Sequence, residues 1–299
     1  MDNVDFYLED LKTKFKKINL DRYYLSYSGG KDSHLLYWFI KGYAPEYSSI
    51  PVVGINTFME HSQIRERIYK NSDIVLLPKM KPFEIKEKYG IPCFTKIQDE
   101  MIDRYQNGLR TPSTMQFIMG TKNGGYTMFK LSKKARTLLL DGKLHKISAK
   151  CCDILKKEPA KEYQKQTSRK PILGVRGSEG TNRKSKYKSC FTGDLKFTPL
   201  WDLTDELENA IYEKYKIEIP EIYNYVDRTG CMGCPYGSWK HDTEKELALI
   251  DENQKKFVCE YFKESYEVLK IKTEGETKWH LKNYVKKHLR SNKSVNMLT

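Results

Sequence analysis

The chain has 299 residues, enough for one core with insertions or for about two domains, and 39% hydrophobic with 12% aromatic residues excludes a disordered or fibrous polypeptide. Lys and Arg number 53 against 39 Asp and Glu, a formal net charge of +14 that draws phosphates and admits a nucleic-acid partner but decides neither. No run reaches the ~18 apolar residues of a membrane span and the opening lacks a basic-then-apolar leader, so a cytoplasmic location without a membrane partner is expected.

Val4, Leu8, Leu11 and Phe15 recur at helical spacing and predict an amphipathic opening helix. Tyr23-Tyr24-Leu25-Ser26-Tyr27 is a β-leaning run that stops at Ser28-Gly29-Gly30, and a helical stretch from Ser33 to Lys41 follows. Val52 to Ile55 reads as a second buried strand, Ser62 to Tyr69 as a helix, and Ile74 to Leu77 as a third strand ended by Pro78. This alternation predicts an α/β fold of βαβ units with right-handed crossovers, a Rossmann-like parallel sheet. Ile172 to Val175 adds a later strand. Residues 91–170 read as a mostly helical insertion that decorates the sheet, broken at Asn123-Gly124-Gly125. Thr204 to Tyr215 predicts another helix, and Thr243 to Leu289 a charged helical tail dense in lysine. The expected division is a 1–238 domain followed by a basic helical region, 239–299.

The sharpest local signal is Ser28-Gly29-Gly30-Lys31-Asp32-Ser33. Paired glycines let the backbone turn tightly and approach a ligand. The helix that begins there offers unpaired N–H groups and the positive end of its dipole to a phosphate. Ser28 and Ser33 add hydroxyls, Lys31 adds a point charge, and the carboxyl end of a parallel strand is where open α/β sheets bind ligands. The spacing is not that of a Walker A loop. An ordinary Ser-Gly-Gly turn would not also require the Lys, the Asp and the second Ser.

At these residues the chain resembles the PP-loop superfamily, the adenine nucleotide α-hydrolases, whose fingerprint is SGGxDS. The resemblance implies a loop of Ser28, Gly29, Gly30, Lys31, Asp32 and Ser33 gripping the phosphates of ATP, APS or PAPS, with Mg²⁺ accompanying ATP. Further along, Gly174-Val175-Arg176-Gly177-Ser178-Glu179-Gly180 and Arg183 are similar to the GxRxxES…R segment of the reductase members, with Gly180 in place of Ser. Pro199-Leu200-Trp201-Asp202-Leu203-Thr204 is similar to their P-x-x-D-W-T element, with Leu203 in place of Trp. The resemblance spans about residues 22–238 and fits the PAPS reductase-like branch best. It implies catalytic roles for Lys31, Asp32, Arg176 and Arg183, the arginines stabilising charge that develops on phosphate or sulfate oxygens.

The chain has seven cysteines, an odd number, and all but Cys93 fall in its second half. Thiolates suit iron–sulfur clusters or zinc, and the Cys231-x-x-Cys234 pair lets one turn donate two sulfurs. Adjacent Cys151 and Cys152 are harder to place on one metal, because neighbouring side chains diverge. The CC…CxxC pattern nevertheless resembles the way assimilatory APS reductases hold a [4Fe–4S] cluster. That implies Cys151, Cys152, Cys231 and Cys234 as ligands, with Cys190 a rival for the fourth place. A structural zinc site is the alternative, and buried thiols packing as small hydrophobes the plainer one. Cys93 and Cys259 are solitary.

Sulfonucleotide reductases also carry a C-terminal Glu-Cys-Gly-(Ile/Leu)-His segment, and this sequence lacks it. Cys259 lies in a helical pattern, where little depresses a thiol pKa. The expected function is therefore an iron–sulfur PP-loop enzyme that cleaves ATP to pyrophosphate, adenylating an acceptor or passing sulfur to it. This resembles the DNA-phosphorothioation enzymes, whose polymer would suit the basic surface. A sulfonucleotide reductase releasing sulfite with an unconventional thiol is the alternative, and a non-catalytic nucleotide-binding module a second one. A homodimer is a further expected partner state.

Overall fold

The computed structural model describes residues 2–177, 187–224, 226, 229–238 and 242–273. In chain order these form α1 (Asn3–Phe15), β1 (Tyr23–Tyr27), α2 (Lys31–Trp38), β2 (Val52–Ile55), α3 (Ser62–Asn71), β3 (Ile74–Leu76) and α4 (Pro82–Tyr89). Then come α5 (Lys96–Gln106), α6 (Pro112–Met119), β4 (Thr121–Lys122), β5 (Gly125–Tyr126), α7 (Lys133–Leu140), α8 (Lys150–Cys152), α9 (Glu158–Thr167) and β6 (Lys170–Ile172). They are followed by α10 (Asp205–Lys214), α11 (Thr243–Leu249), α12 (Glu252–Tyr261) and α13 (Lys263–Leu269).

The chain divides into two units, 1–84 with 151–229, and 85–150 with 230–299. Residues 85–150 thus group with 230–299, where the sequence reading placed 1–238 in one domain. A helical pattern shows that a segment is amphipathic, but not which partner covers its apolar stripe.

In the first unit the strands form one parallel sheet in the order β3-β2-β1-β6. The Rossmann-like α/β expectation holds. β1 shows why: Tyr24, Leu25 and Tyr27 are all at most 2% exposed, so side chains on both faces of the strand are covered, as a parallel sheet requires. On one face Leu25, Tyr27 and Val52 pack with Leu8, Leu11 and Phe15 of α1, Leu35 and Leu36 of α2, and Ile64 and Ile68 of α3. Each fully buried side chain of this size contributes about 1.5–3 kcal/mol relative to exposure. On the other face Tyr24 and Val53 pack with Tyr163 of α9, the two tyrosine rings meeting edge-on at 4.9 Å.

Element boundaries shift slightly from expectation. α2 starts at Lys31 and passes into a π-helical turn, Phe39–Tyr43, that ends before Pro45. The late strand occupies Lys170–Ile172, because beyond it the backbone leaves the ladder and Leu173 N–H donates to Phe197 O at 2.8 Å.

In the second unit Ile102, Ile118, Ala135 and Leu139 bring α5, α6 and α7 around a core shared with Cys93 and Ile147. Asp99 is buried there and accepts from the backbone N–H groups of Cys93 and Phe94 at 2.6 and 3.0 Å. No helix among the described residues is long and apolar enough to cross a membrane.

Candidate functional site

β1 ends at Tyr27 and the chain turns through Ser28, Gly29 and Gly30 into α2. Gly29 has φ +72°, a left-handed conformation that glycine adopts without strain. A Cβ there would stand 2.9 Å from the Ile64 carbonyl oxygen, so α3 closes directly over the turn. The two serines brace it internally. Ser33 Oγ accepts from Ser28 N–H at 3.2 Å, lies 3.0 Å from Ser28 Oγ, and donates to Gly30 O at 3.0 Å. The first amide of α2, Lys31 N–H, donates to the Tyr223 hydroxyl at 2.9 Å, and that hydroxyl pairs with Thr229 Oγ1 at 2.9 Å. Tyr212 OH donates to Lys31 O at 2.8 Å.

Beside the turn lies a cluster of charge. Asp205, Glu208, Asn209 and Tyr212 follow i, i+3, i+4, i+7 spacing along α10, which places them on one helix face. Lys31 Nζ reaches Asn209 Oδ1 at 3.0 Å and Glu208 Oε2 at 3.5 Å. Arg176, on the segment leaving β6, donates from Nε to Asp32 Oδ1 at 2.5 Å. Its other nitrogens pair with Asp205 and, at 3.4 Å, with Glu208 Oε2. Gly174 makes this approach possible: a Cβ there would lie 2.7 Å from Asp32 C and Ser33 N.

Two cations thus face three carboxylates, so the cluster would be net negative if every group were ionised. Burial, and then the Asp32 carboxylate, push the Glu208 carboxyl up to about 7, which favours holding one proton and a balanced cluster. Burial disfavours the Arg176 cation, but Asp32 and Glu208 outweigh it and raise its pKa. Behind the turn, His34 Nδ1 lies 2.9 Å from Tyr27 OH, which also accepts from Asn71 Nδ2 at 3.0 Å. Burial drives the His34 pKa down to about 3, so the ring is neutral.

The structure therefore brings Ser28, Gly29, Gly30, Lys31, Asp32, Ser33 and Arg176 together at one end of the sheet. Arg183, with Glu179 and Gly180, lies outside the described residues. Asp202 is engaged elsewhere, accepting from Lys14 Nζ at 2.8 and 2.7 Å, which pins α1. Asp205, Glu208, Asn209, Tyr212 and Tyr223 were not anticipated. The first four carried a legible signal, a polar stripe at helical spacing; Tyr223 carried none. A cavity of about 470 Å³ in the same unit lies away from the turn, where Leu76, Leu77 and Lys79 meet Glu162, Tyr163 and Gln166.

Four of the seven cysteines form two pairs close in sequence, one in each unit. Cys151 and Cys152 are consecutive in α8, the first buried and the second half-buried. Cys231 and Cys234 share a tight turn in which Cys234 N–H donates to Cys231 O at 3.2 Å and Gly233 takes φ +58°. Tyr266 OH donates to the Gly233 carbonyl at 2.5 Å and fixes that turn. Cys190 is half-buried against the first unit's core. Among the described residues no group of three or more His, Cys, Asp or Glu side chains is arranged to hold a metal ion. Cys93 is buried and its thiol is pushed up to about 12 by burial. Cys259 is half-buried within α12.

No protein-family model matches the chain, and no curated protein matches it. Among solved structures, the phosphate complex of phosphoadenylyl-sulfate (PAPS) reductase from Candida auris aligns over 73% of this chain and 89% of that one. The TM-score is 0.39 and the identity 12%. At that score the likeness carries no weight for function, and the fold rests on the observed sheet order.

Proposed function

We propose that the first unit binds the phosphates of an adenine nucleotide at the turn Ser28–Ser33 and is a PP-loop enzyme acting at or beyond the α-phosphate. Pyrophosphate release from ATP, with adenylation of or sulfur transfer to an acceptor, is the leading activity. The observation that carries the reading is the position of the turn. It follows β1, which lies between β2 and β6 in the order β3-β2-β1-β6, the place where connections leave a parallel sheet in opposite directions and ligands bind. Lys31 and Arg176 converge on that point, held in place by Asp32, Asp205 and Glu208. A polyphosphate competes with those carboxylates for the same donors, and guanidinium pairs with phosphate in the bidentate way it pairs with carboxylate.

The test is calorimetry of the full chain with ATP, APS and PAPS, followed by a pyrophosphate assay with ATP. Binding of at least one nucleotide, lost in Lys31→Ala, is expected, and the binding nucleotide identifies the substrate class. No heat with any of the three overturns the reading.

A cluster proposal rests on thiol chemistry alone. Two thiols leave one turn at Cys231 and Cys234, and two more leave α8 at Cys151 and Cys152, a soft donor set suited to iron–sulfur or zinc. Iron and acid-labile sulfide in anaerobically purified protein, lost in Cys231→Ser, are expected. Zinc in their place selects the structural alternative.

A further inference from the structure

From Arg104 to Leu140 the chain carries seven Lys or Arg residues and not one Asp or Glu. In the middle of this acid-free stretch β4 and β5 pair antiparallel, with Thr121 opposite Tyr126 and Lys122 opposite Gly125. Asn123 and Gly124 join them with φ 51° and 79°, the doubly left-handed turn that matches strand twist. The hairpin does not bury its large side chains. Tyr126 is 92% exposed, Met128 91% and Phe129 79%. Large apolar side chains displayed together in this way mark a surface made for a partner. A cation stands by one of the rings: Lys130 Nζ lies 5.9 Å from the Tyr126 ring centroid.

The combination selects the partner's chemistry. Flat exposed rings stack on unpaired bases, and flanking cations neutralise the phosphates between them, while no carboxylate in the stretch repels the backbone. A duplex offers the phosphates but keeps its bases stacked inside. We propose that the hairpin Thr121–Lys130 and its basic flanks bind single-stranded nucleic acid, with Tyr126 and Phe129 as stacking platforms and Lys122 and Lys130 as phosphate contacts. The site belongs to the second unit and does not depend on the nucleotide reading of the first.

The test is fluorescence anisotropy of the full chain with labelled oligothymidine and oligouridine, the matching duplex, and vesicles rich in phosphatidylserine. Expected are salt-sensitive binding to either single strand, weaker binding to duplex, and at least a tenfold loss of single-strand affinity in Tyr126→Ala/Phe129→Ala. Lys122→Glu/Lys130→Glu is expected to weaken binding similarly and to flatten the salt dependence. All four side chains are exposed, and an unchanged circular dichroism melt confirms the fold. No single-strand binding at low salt overturns the proposal, as does wild-type affinity in both double variants, which would assign binding to another surface. Hairpin-dependent binding to vesicles without single-strand binding also overturns it, assigning the rings to a membrane. Calorimetry with ATP, APS and PAPS reads the first unit separately, so failure of one proposal leaves the other standing.

Discussion

Arg176 Nε donates to Asp32 Oδ1 at 2.5 Å, joining the segment after β6 to the first turn of α2 across 144 residues of sequence. The same guanidinium serves Asp205 and Glu208. Removing it would leave a carboxylate that is 2% exposed, Glu208, beside Asp32 with Lys31 as its remaining ion-pair partner among the described residues. Breaking a buried pair from one side costs roughly 3–5 kcal/mol, much of it the cost of the stranded charge. Arg176→Met is therefore expected to lower the unfolding free energy read from urea melts by that amount, and Arg176→Lys by less, since it keeps the charge but not the fork. A variant as stable as the wild type would show that the cluster contributes nothing to the fold.

Gly174 and Gly29 are expected to be intolerant of alanine for different reasons. At Gly174 a methyl would sit 2.7 Å from backbone atoms of Asp32 and Ser33, which cannot rotate away. Overpacking of this kind costs about 1–3 kcal/mol, and here it displaces Arg176 from Asp32, so nucleotide affinity falls with stability. At Gly29 the positive φ adds backbone strain to the clash with Ile64. Gly193 is exposed with nothing within 4 Å of its prospective Cβ, so Gly193→Ala is the control, expected to fall within about 0.5 kcal/mol of wild type. Thermal melts and ATP titrations of the three variants check this, and equal behaviour of Gly174→Ala and Gly193→Ala contradicts the packing described.

Much of the first unit was legible because its signals are local. Apolar spacing at Val4, Leu8, Leu11 and Phe15, and strand-length apolar runs closed by glycine or proline, follow from periodicity alone. The Arg176–Asp32 pair was not readable, since nothing in either segment says that β6 lies beside β1. The burial of Glu208 was hidden for a related reason. A carboxylate on a helix is ordinarily solvated, and only the tertiary approach of α2 buries this one. The grouping of 85–150 with the C-terminal segment is likewise a packing outcome between amphipathic helices whose stripes do not specify a partner.

Two of the buried titratable groups near the turn predict opposite pH trends. Glu208 has a folded pKa above the ordinary carboxyl value of 4.5, raised by burial and by Asp32. Its stabilisation is complete below 4.5 and declines as pH rises toward 7. His34 has a folded pKa below the ordinary 6.5, lowered by burial and then by Arg67 and Lys70. Its stabilisation is complete above 6.5 and is lost as pH falls toward its folded value. Glu208→Gln should remove the first trend, giving a gain over wild type that grows from pH 5 to pH 8. Urea melts across this range test the sign, and a gain that shrinks with rising pH would show that Glu208 is ionised in the fold.

Tyr223 offers the most direct test of where a phosphate would sit. Its hydroxyl occupies the Lys31 N–H, the first amide donor of α2, at 2.9 Å. A phosphate seated in the turn would take that donor, because the helix N-terminus directs its unpaired N–H groups and its dipole to that point. Without nucleotide, Tyr223→Phe loses an acceptor and should cost about 0.5–1.5 kcal/mol. With nucleotide the phosphate oxygen replaces the hydroxyl, so the cost disappears on binding and the variant should bind ATP several-fold more tightly than wild type. Melting temperatures with and without saturating ATP, together with calorimetric Kd values, read both sides of this cycle. If instead the Tyr223 hydroxyl itself contacted the nucleotide, Tyr223→Phe would bind more weakly, and the phosphate would have to be placed outside the first turn of α2.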